Sequence, residues 1–361
     1  MMAQEQLVPL NPDFGRLRRV LMLEGEPDRV PNAELHVDWQ VKQAFLGRPI
    51  ETVQDDVDFW RQAGYDYVHL RANYEYRMVG DGHRDEDHIY GGDMQVTTWG
   101  GDETSLVSSW DEYQRYPWPD PGTIDFTNLE ACARVLPPGM KIISGVGGIF
   151  TRVWRIMGFE TFCYALVDQP DLVAELFRRV GETQLAVFRR IVEMDGIGAM
   201  WYGDDLAYYS GTMVSPRVLR RYLFPYMEAM GAICRGKDLP FILHSDGNLW
   251  QILPDLLACG LNALHPVEPK AMDSAELKAR AGNRLCLLGN VEIGETLTLG
   301  SPADVQAEVR ERIRTLAPGG GYAVGSSNTV AHYVPLENFK AMVRATREYG
   351  GYPISVDRSA L

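Results

Sequence analysis

Paired cysteines are missing from this 361-residue chain: Cys132, Cys163, Cys234, Cys259 and Cys286 are odd in number, widely spaced and free of any CxxC motif. A disulfide framework is therefore not expected, and buried free thiols in a reducing cytoplasm are. A basic excess is missing too. Lys and Arg number 35 against 49 Asp and Glu, for a net charge of −14, and no basic stripe stands out to displace phosphate counterions, so nucleic acid is not an expected partner. No uncharged apolar run reaches the roughly 18 residues of a helical membrane span. The opening "MMAQEQLVPLNPDF" carries an early glutamate and no apolar core, so a secretory signal is not expected there. A P-loop, a GxSxG turn and a catalytic-cysteine motif are also lacking. "SGVGGIF" (144–150) has Phe150 where a dinucleotide loop needs its last glycine. Those glycines more simply let Phe150, Thr151 or a ligand approach the backbone closely.

What is present is the composition of a soluble globular protein, 45% hydrophobic and 23% charged. A chain of this length can bury roughly three quarters of its unfolded surface, so neither disulfide nor metal is needed to hold it together. Short apolar runs alternate with segments of helical period. The runs are "VPNAEL" (30–35, the weakest), "YDYVHLR" (65–71), "KIISGV" (141–146), "GAMWYGD" (198–204), "PFILHSD" (240–246), "NALHPV" (262–267), "RLCLLGN" (284–290) and "GYAVGSS" (321–327). Between them, Leu172, Val173, Leu176, Phe177, Val180, Phe188, Ile191 and Val192 keep one face of a helix over 171–194 apolar. Ser215–Pro216 and Ser301–Pro302 are helix starts, and Asp273 is a cap. Eight strand–helix units predict an α/β fold, a single (β/α)8 barrel of the TIM type over 1–361. Two segments stand outside the repeat: a helix within 11–29, and an insertion over 74–138 forming a lid or side wall. In that insertion "MQVTTWGG" and "SLVSSW" read as a hairpin and "YPWPDPG" as a stiff loop.

In such barrels the chemistry collects at the carboxyl ends of the strands. Those ends carry His36 and Asp38; Arg71 and Asn73; Asp204 and Asp205; His244 and Asp246; His265 and Glu268; Asn290 and Glu292; then Ser326, Ser327 and Asn328. Asp204 and Asp205 either cap a following turn or hold a substrate hydroxyl. His265, before Pro266, reads as a turn residue, His69 as a core histidine, and His83 and His88 as part of a solvated loop. His244 and Asp246 are the stronger pair, because residues i and i+2 of an extended chain share a face. Glu268 ends the next strand beside them. A histidine with two carboxylates suits zinc or another divalent ion; the alternative is a hydrogen-bonded His–Asp pair without metal.

From "EPDRVP" (26–31) through "YGDDLAYYSGTMVSPRVLRRYLFPY" (202–226), "ILHSDGNL" (242–249), "HPVEP" (265–269), "LLGNVE" (287–292) and "VPLENFKAMV" (334–343), the chain resembles the uroporphyrinogen decarboxylase superfamily. That superfamily has a (β/α)8 barrel and includes cobalamin-dependent methyltransferases. Its true decarboxylases carry paired arginines where this chain has "NAELHVDWQ" (32–40), with no arginine and two acidic residues, so a polyanionic tetrapyrrole fits poorly. The branch that loads coenzyme M has a zinc-binding histidine and glutamate that match His244 and Glu268. Its thiolates are replaced, one by Asp246 and the other by Ser327 or Asn328.

The resemblance implies a methyltransferase, or demethylase, moving a methyl group from a small substrate such as an aryl methyl ether to a corrinoid protein. Cobalamin would be carried by that partner. His244, Asp246, Asp204 and Asp205 are the expected catalytic residues. Arg71, Asn73, Trp201, Tyr208, Tyr209, Asn290, Ser327 and Asn328 are expected to bind substrate, and His244, Asp246 and Glu268 to hold the metal. A cofactor-independent decarboxylase of a smaller acid, anchored by Arg71, Arg152 or Arg155, stays open as the alternative, as does a non-catalytic binding barrel. A homodimer is compatible with the sequence.

Overall fold

The computed structural model describes residues 11–79 and 105–354. Among these, nine strands are present: β1 (Tyr67–His69), β2 (Lys141–Gly147), β3 (Ile197–Gly203), β4 (Ala207–Tyr208), β5 (Gly211–Thr212), β6 (Phe241–His244), β7 (Ala263–His265), β8 (Cys286–Val291) and β9 (Tyr322–Ser326). Seven form one parallel sheet in the order β1-β2-β3-β6-β7-β8-β9, and β4 with β5 makes a small antiparallel hairpin. Buried on both faces, the seven read as near-continuous apolar runs, as parallel strands covered by helices must.

The weakest expected strand takes the eighth position without a full ladder. Asn32 bridges Val324 and Val37 bridges Val330, both in parallel. Pro31 has no N–H to give, but its carbonyl accepts from Val324 N at 2.9 Å. Toward β1 the seam is held by a side chain. The Tyr67 hydroxyl donates to the Glu34 carbonyl at 2.6 Å and accepts from the Glu34 N–H at the same distance.

The helix expected within 11–29 spans Phe14–Leu21, capped by Asp13 and packing Leu17, Val20 and Leu21 into the core. Arg16 on it reaches Asp66 at 2.7 Å and Asp28 at 2.5 Å, tying it to the barrel. The long amphipathic helix is Pro170–Ile191. Ser215, Ser301 and Asp273 cap their helices through side-chain oxygens. Four cysteines are buried, but Cys163 is exposed. Among the described residues no helix is long and apolar enough to cross a membrane.

The insertion differs from its reading. "MQVTTWGG", like His83 and His88, lies outside the described residues, and "SLVSSW" is not a strand. Ser109 accepts from Glu112 N at 3.3 Å, and the Glu112 carboxylate reaches back to Ser108 N at 2.7 Å, so the segment turns into the helix Trp110–Arg115. A serine three residues before a glutamate is a helix-start signal that outweighs the alternation. This part lies against the barrel helices, with Leu106 N donating to Ile156 O and Tyr113 to Glu175.

Candidate active site

Parallel register brings the site together. Gly203 of β3, His244 of β6 and His265 of β7 are successive partners across the sheet, so the two imidazoles stand side by side. Their Nδ1 atoms are 2.9 Å apart. Gly203 adds no side chain: a Cβ there would lie 3.4 Å from the Arg71 guanidinium and 3.9 Å from the His244 ring. Below them Trp201 is fully buried, meeting the rings of His69 at 5.6 Å and His265 at 5.2 Å edge-on. It forms the floor.

Above His244 the chain turns sharply. Gly247 has φ +84°, and a Cβ there would come within 2.4 Å of the Ala207 carbonyl, so only glycine fits. Its N–H donates to Glu268 at 3.1 Å. The turn presents Asp246 beside Asp205, whose Oδ1 accepts from Asp246 N at 3.2 Å. His244 Nε2 lies 3.7 Å from Asp205 and 4.0 Å from Asp246. One ligand atom from each of Asp205, His244 and Asp246 falls within 4.8 Å of the others. Asn328 donates to Asp246 Oδ2 at 2.6 Å, whereas Asp246 Oδ1 is buried and has no hydrogen-bond partner.

Electrostatics follow from this crowding. Burial, then the charges of Asp205 and Glu268, push the Asp246 carboxyl well above its ordinary pKa, against the pull of Asn328. Burial pushes His244 below the usual imidazole value, with Asp205 opposing and Arg71 reinforcing. His265, fully buried next to His244, is held well below. A cation placed among these oxygens would relieve the first effect, and neutral imidazole is the form a metal requires.

Not every expected residue joins the cluster. Asp204 is buried with both oxygens committed: Oδ2 accepts from Phe150 N at 2.9 Å and Tyr202 OH at 2.6 Å, and Oδ1 from Thr151 N at 2.8 Å. It caps the helix Ile149–Met157 from across the sheet. Of the glycines of "SGVGGIF", Gly148 serves that contact, since a Cβ on it would sit 2.1 Å from Asp204. Asn73 is exposed and paired with Asp125 of the insertion. Asn290, buried, donates to Val267 O and braces the loop leading to Glu268. Ser327 accepts from Ile293 N at 3.0 Å, away from the cluster. Arg71 comes up beside it, Trp201 lies wholly buried beneath it and so is placed to support rather than to bind a substrate, and Tyr208 and Tyr209 lie exposed on the β4–β5 hairpin and its turn. Glu268 stands behind the cluster through Gly247, and Asp205 takes the place expected for it among the candidate ligands.

One histidine departs from its reading and another was not singled out in the sequence. His265 is not a turn residue but the buried partner of His244. His332 donates its N–H to Asp38 at 2.7 Å, and Asp38 also meets His36 at 3.2 Å. Although burial opposes it, these contacts hold Asp38 below its ordinary pKa. No spacing links residues 38 and 332; only barrel closure does.

Comparison with known proteins adds context. The family model for uroporphyrinogen decarboxylase (URO-D) matches residues 104–349. A methylcobamide:CoM methyltransferase, MtaA, of Methanosarcina barkeri is 30% identical over 216 residues, covering 59% of each chain. A uroporphyrinogen decarboxylase of Cellvibrio japonicus is 26% identical over 187 residues, 51% of this chain and 50% of that one. The matched stretch thus spans between half and three fifths of the length of these relatives. A solved methyltransferase from Methanosarcina mazei superimposes with a TM-score of 0.66 at 22% identity, covering 92% of this chain and 98% of the other. That likeness shows the barrel fold.

Proposed function

Since the chain belongs to the uroporphyrinogen decarboxylase family, we propose that it is a methyltransferase of that family, moving a methyl group from a small methylated substrate to a corrinoid carried by a partner protein. An aryl methyl ether is the substrate class this reading favours. The observation that carries it is the gathering of Asp205, His244 and Asp246 within 4.8 Å, around a buried carboxylate oxygen that has no partner. One imidazole and two carboxylates, backed by Glu268, fit zinc or a harder divalent ion better than a soft one, for no thiolate is among them.

When bound, such an ion supplies Lewis acidity toward the oxygen that departs from the methyl group. The need is real, because a phenol of pKa about 10 leaving as its anion at pH 7 forgoes about 4 kcal/mol of protonation. The chain's own residues supply the rest. Asn328 fixes Asp246 by one oxygen and leaves the other facing His244. Gly247 and Glu268 lock the turn that carries Asp246. Trp201, with no exposed surface of its own, packs beneath the two imidazoles and supports the floor rather than touching substrate, and the exposed Tyr208 and Tyr209 lie on the hairpin that follows β3. The described part of the insertion, over 105–138, packs against the barrel helices and on this reading serves as a side wall of the same mouth. Three carboxylates so close together disfavour an anionic substrate, which weighs against the decarboxylase alternative despite Arg71.

Metal content of the purified chain tests this directly. Near-stoichiometric zinc or another divalent ion in the wild type, lost in His244→Ala and Asp205→Ala and weakened in Glu268→Ala, is the expected result. A wild type that takes up no divalent ion after incubation would sink the site.

A further inference from the structure

We infer that His265 is a positioning residue that decides which nitrogen of His244 is left bare. The inference rests on the metal reading above. With two neutral rings, the 2.9 Å contact between the Nδ1 atoms holds a single hydrogen. If His265 donates it, the proton of His244 sits on Nε2, the atom facing Asp205 and Asp246. If His244 donates it, Nε2 is bare and can serve as a ligand. Only the second arrangement lets the three gathered atoms hold an ion together. His265 must then carry its own proton on Nε2, a buried atom without a hydrogen-bond partner, next to the edge-on Trp201 indole.

Geometry makes the contact rigid. His244 and His265 are direct register partners on adjacent parallel strands, and Ser245 N donates to the His265 carbonyl at 3.0 Å. His265 is completely buried, so water cannot take over as acceptor. Without it the Nδ1–H of His244 would be an unsatisfied buried donor whenever an ion was bound. Loss of the group that orients a ligating histidine typically costs 10–100-fold in metal affinity.

The test uses the full-length chain, with zinc as the probe. His265→Leu removes the acceptor and keeps apolar volume; His265→Asn places an amide oxygen near the lost Nδ1. Competition with a chromophoric chelator should show zinc affinity reduced 10–100-fold in H265L and restored to within a few-fold in H265N. Long-range proton–nitrogen NMR of histidine-labelled wild type, loaded with zinc, should find His244 protonated on Nδ1 and His265 on Nε2. Equal affinity in H265L, or a proton on His265 Nδ1 in the loaded protein, would overturn the inference. Should H265L not fold, H265N and the wild-type spectra decide. Failure of the metal reading is seen separately, as no zinc uptake by wild type. In that case the metal-free spectra still decide, because His244 protonated on Nε2 contradicts the assignment and protonation on Nδ1 supports it.

Discussion

Glu34 is a buried carboxyl that stands apart from the cluster at the mouth. It is fully enclosed, and burial pushes its pKa up to about 8, although Ser326 N and Oγ both contact it, at 2.6 and 2.7 Å. The folded state therefore keeps a proton that the unfolded chain releases near pH 4.3. Stability from this group is complete below that pH and is lost as pH rises toward 8, by up to about 1.4 kcal/mol per pH unit. Glu34→Gln, neutral throughout, should grow progressively more stable than wild type across that window in denaturant titrations; parallel pH profiles would refute the assignment. Residue by residue, the sequence suggested that His244 and Asp246 lie near each other, though the reason differs: the strand ends at His244 and the turn after it delivers Asp246. Pairs made by neighbouring strands, such as His244 with His265 or Asp38 with His332, depend on register, which no local pattern encodes.

At the scale of the element, Asp204 shows how a carboxylate at a strand end serves architecture. Three buried donors converge on it, so Asp204→Ala leaves Phe150 N, Thr151 N and the Tyr202 hydroxyl unsatisfied. The expected loss is about 3 kcal/mol or more, at 1–3 kcal/mol for each orphaned group less whatever relaxation recovers. Asp205→Ala, on a half-exposed side chain, should leave chemical stability nearly unchanged while lowering metal uptake. The reverse pattern in the two variants would exchange their roles. The doublet in "YGDDL" was visible as a cap or a site; that Asp204 takes the cap, leaving Asp205 beside His244, was not. Caps within one segment were legible, as at Ser215, Ser301 and Asp273. A cap delivered from another strand was hidden.

For the whole molecule the decisive feature is how the barrel closes. Seven strands were legible as apolar runs: each run became a strand within a few residues of its reading. The eighth, interrupted by Pro31, relies on Tyr67 for the backbone of Glu34. Tyr67→Phe should cost about 2–4 kcal/mol by leaving that N–H and carbonyl unpaired. Hydrogen exchange should quicken chiefly in residues 30–37, with β2 and β3 little changed. A uniform increase across the sheet would mean the seam is not where closure resides. The breadth of the fold was thus readable from hydrophobic runs, whereas its last joint is a phenol and a peptide group 33 positions apart, outside any window of periodicity.

Trp201, wedged between His69 and His265, turns the barrel into a cul-de-sac. On the methyl-transfer reading proposed above, a floor at that depth would set an order of traffic: the small substrate before the wider corrinoid protein, and its demethylated remnant after that protein has gone.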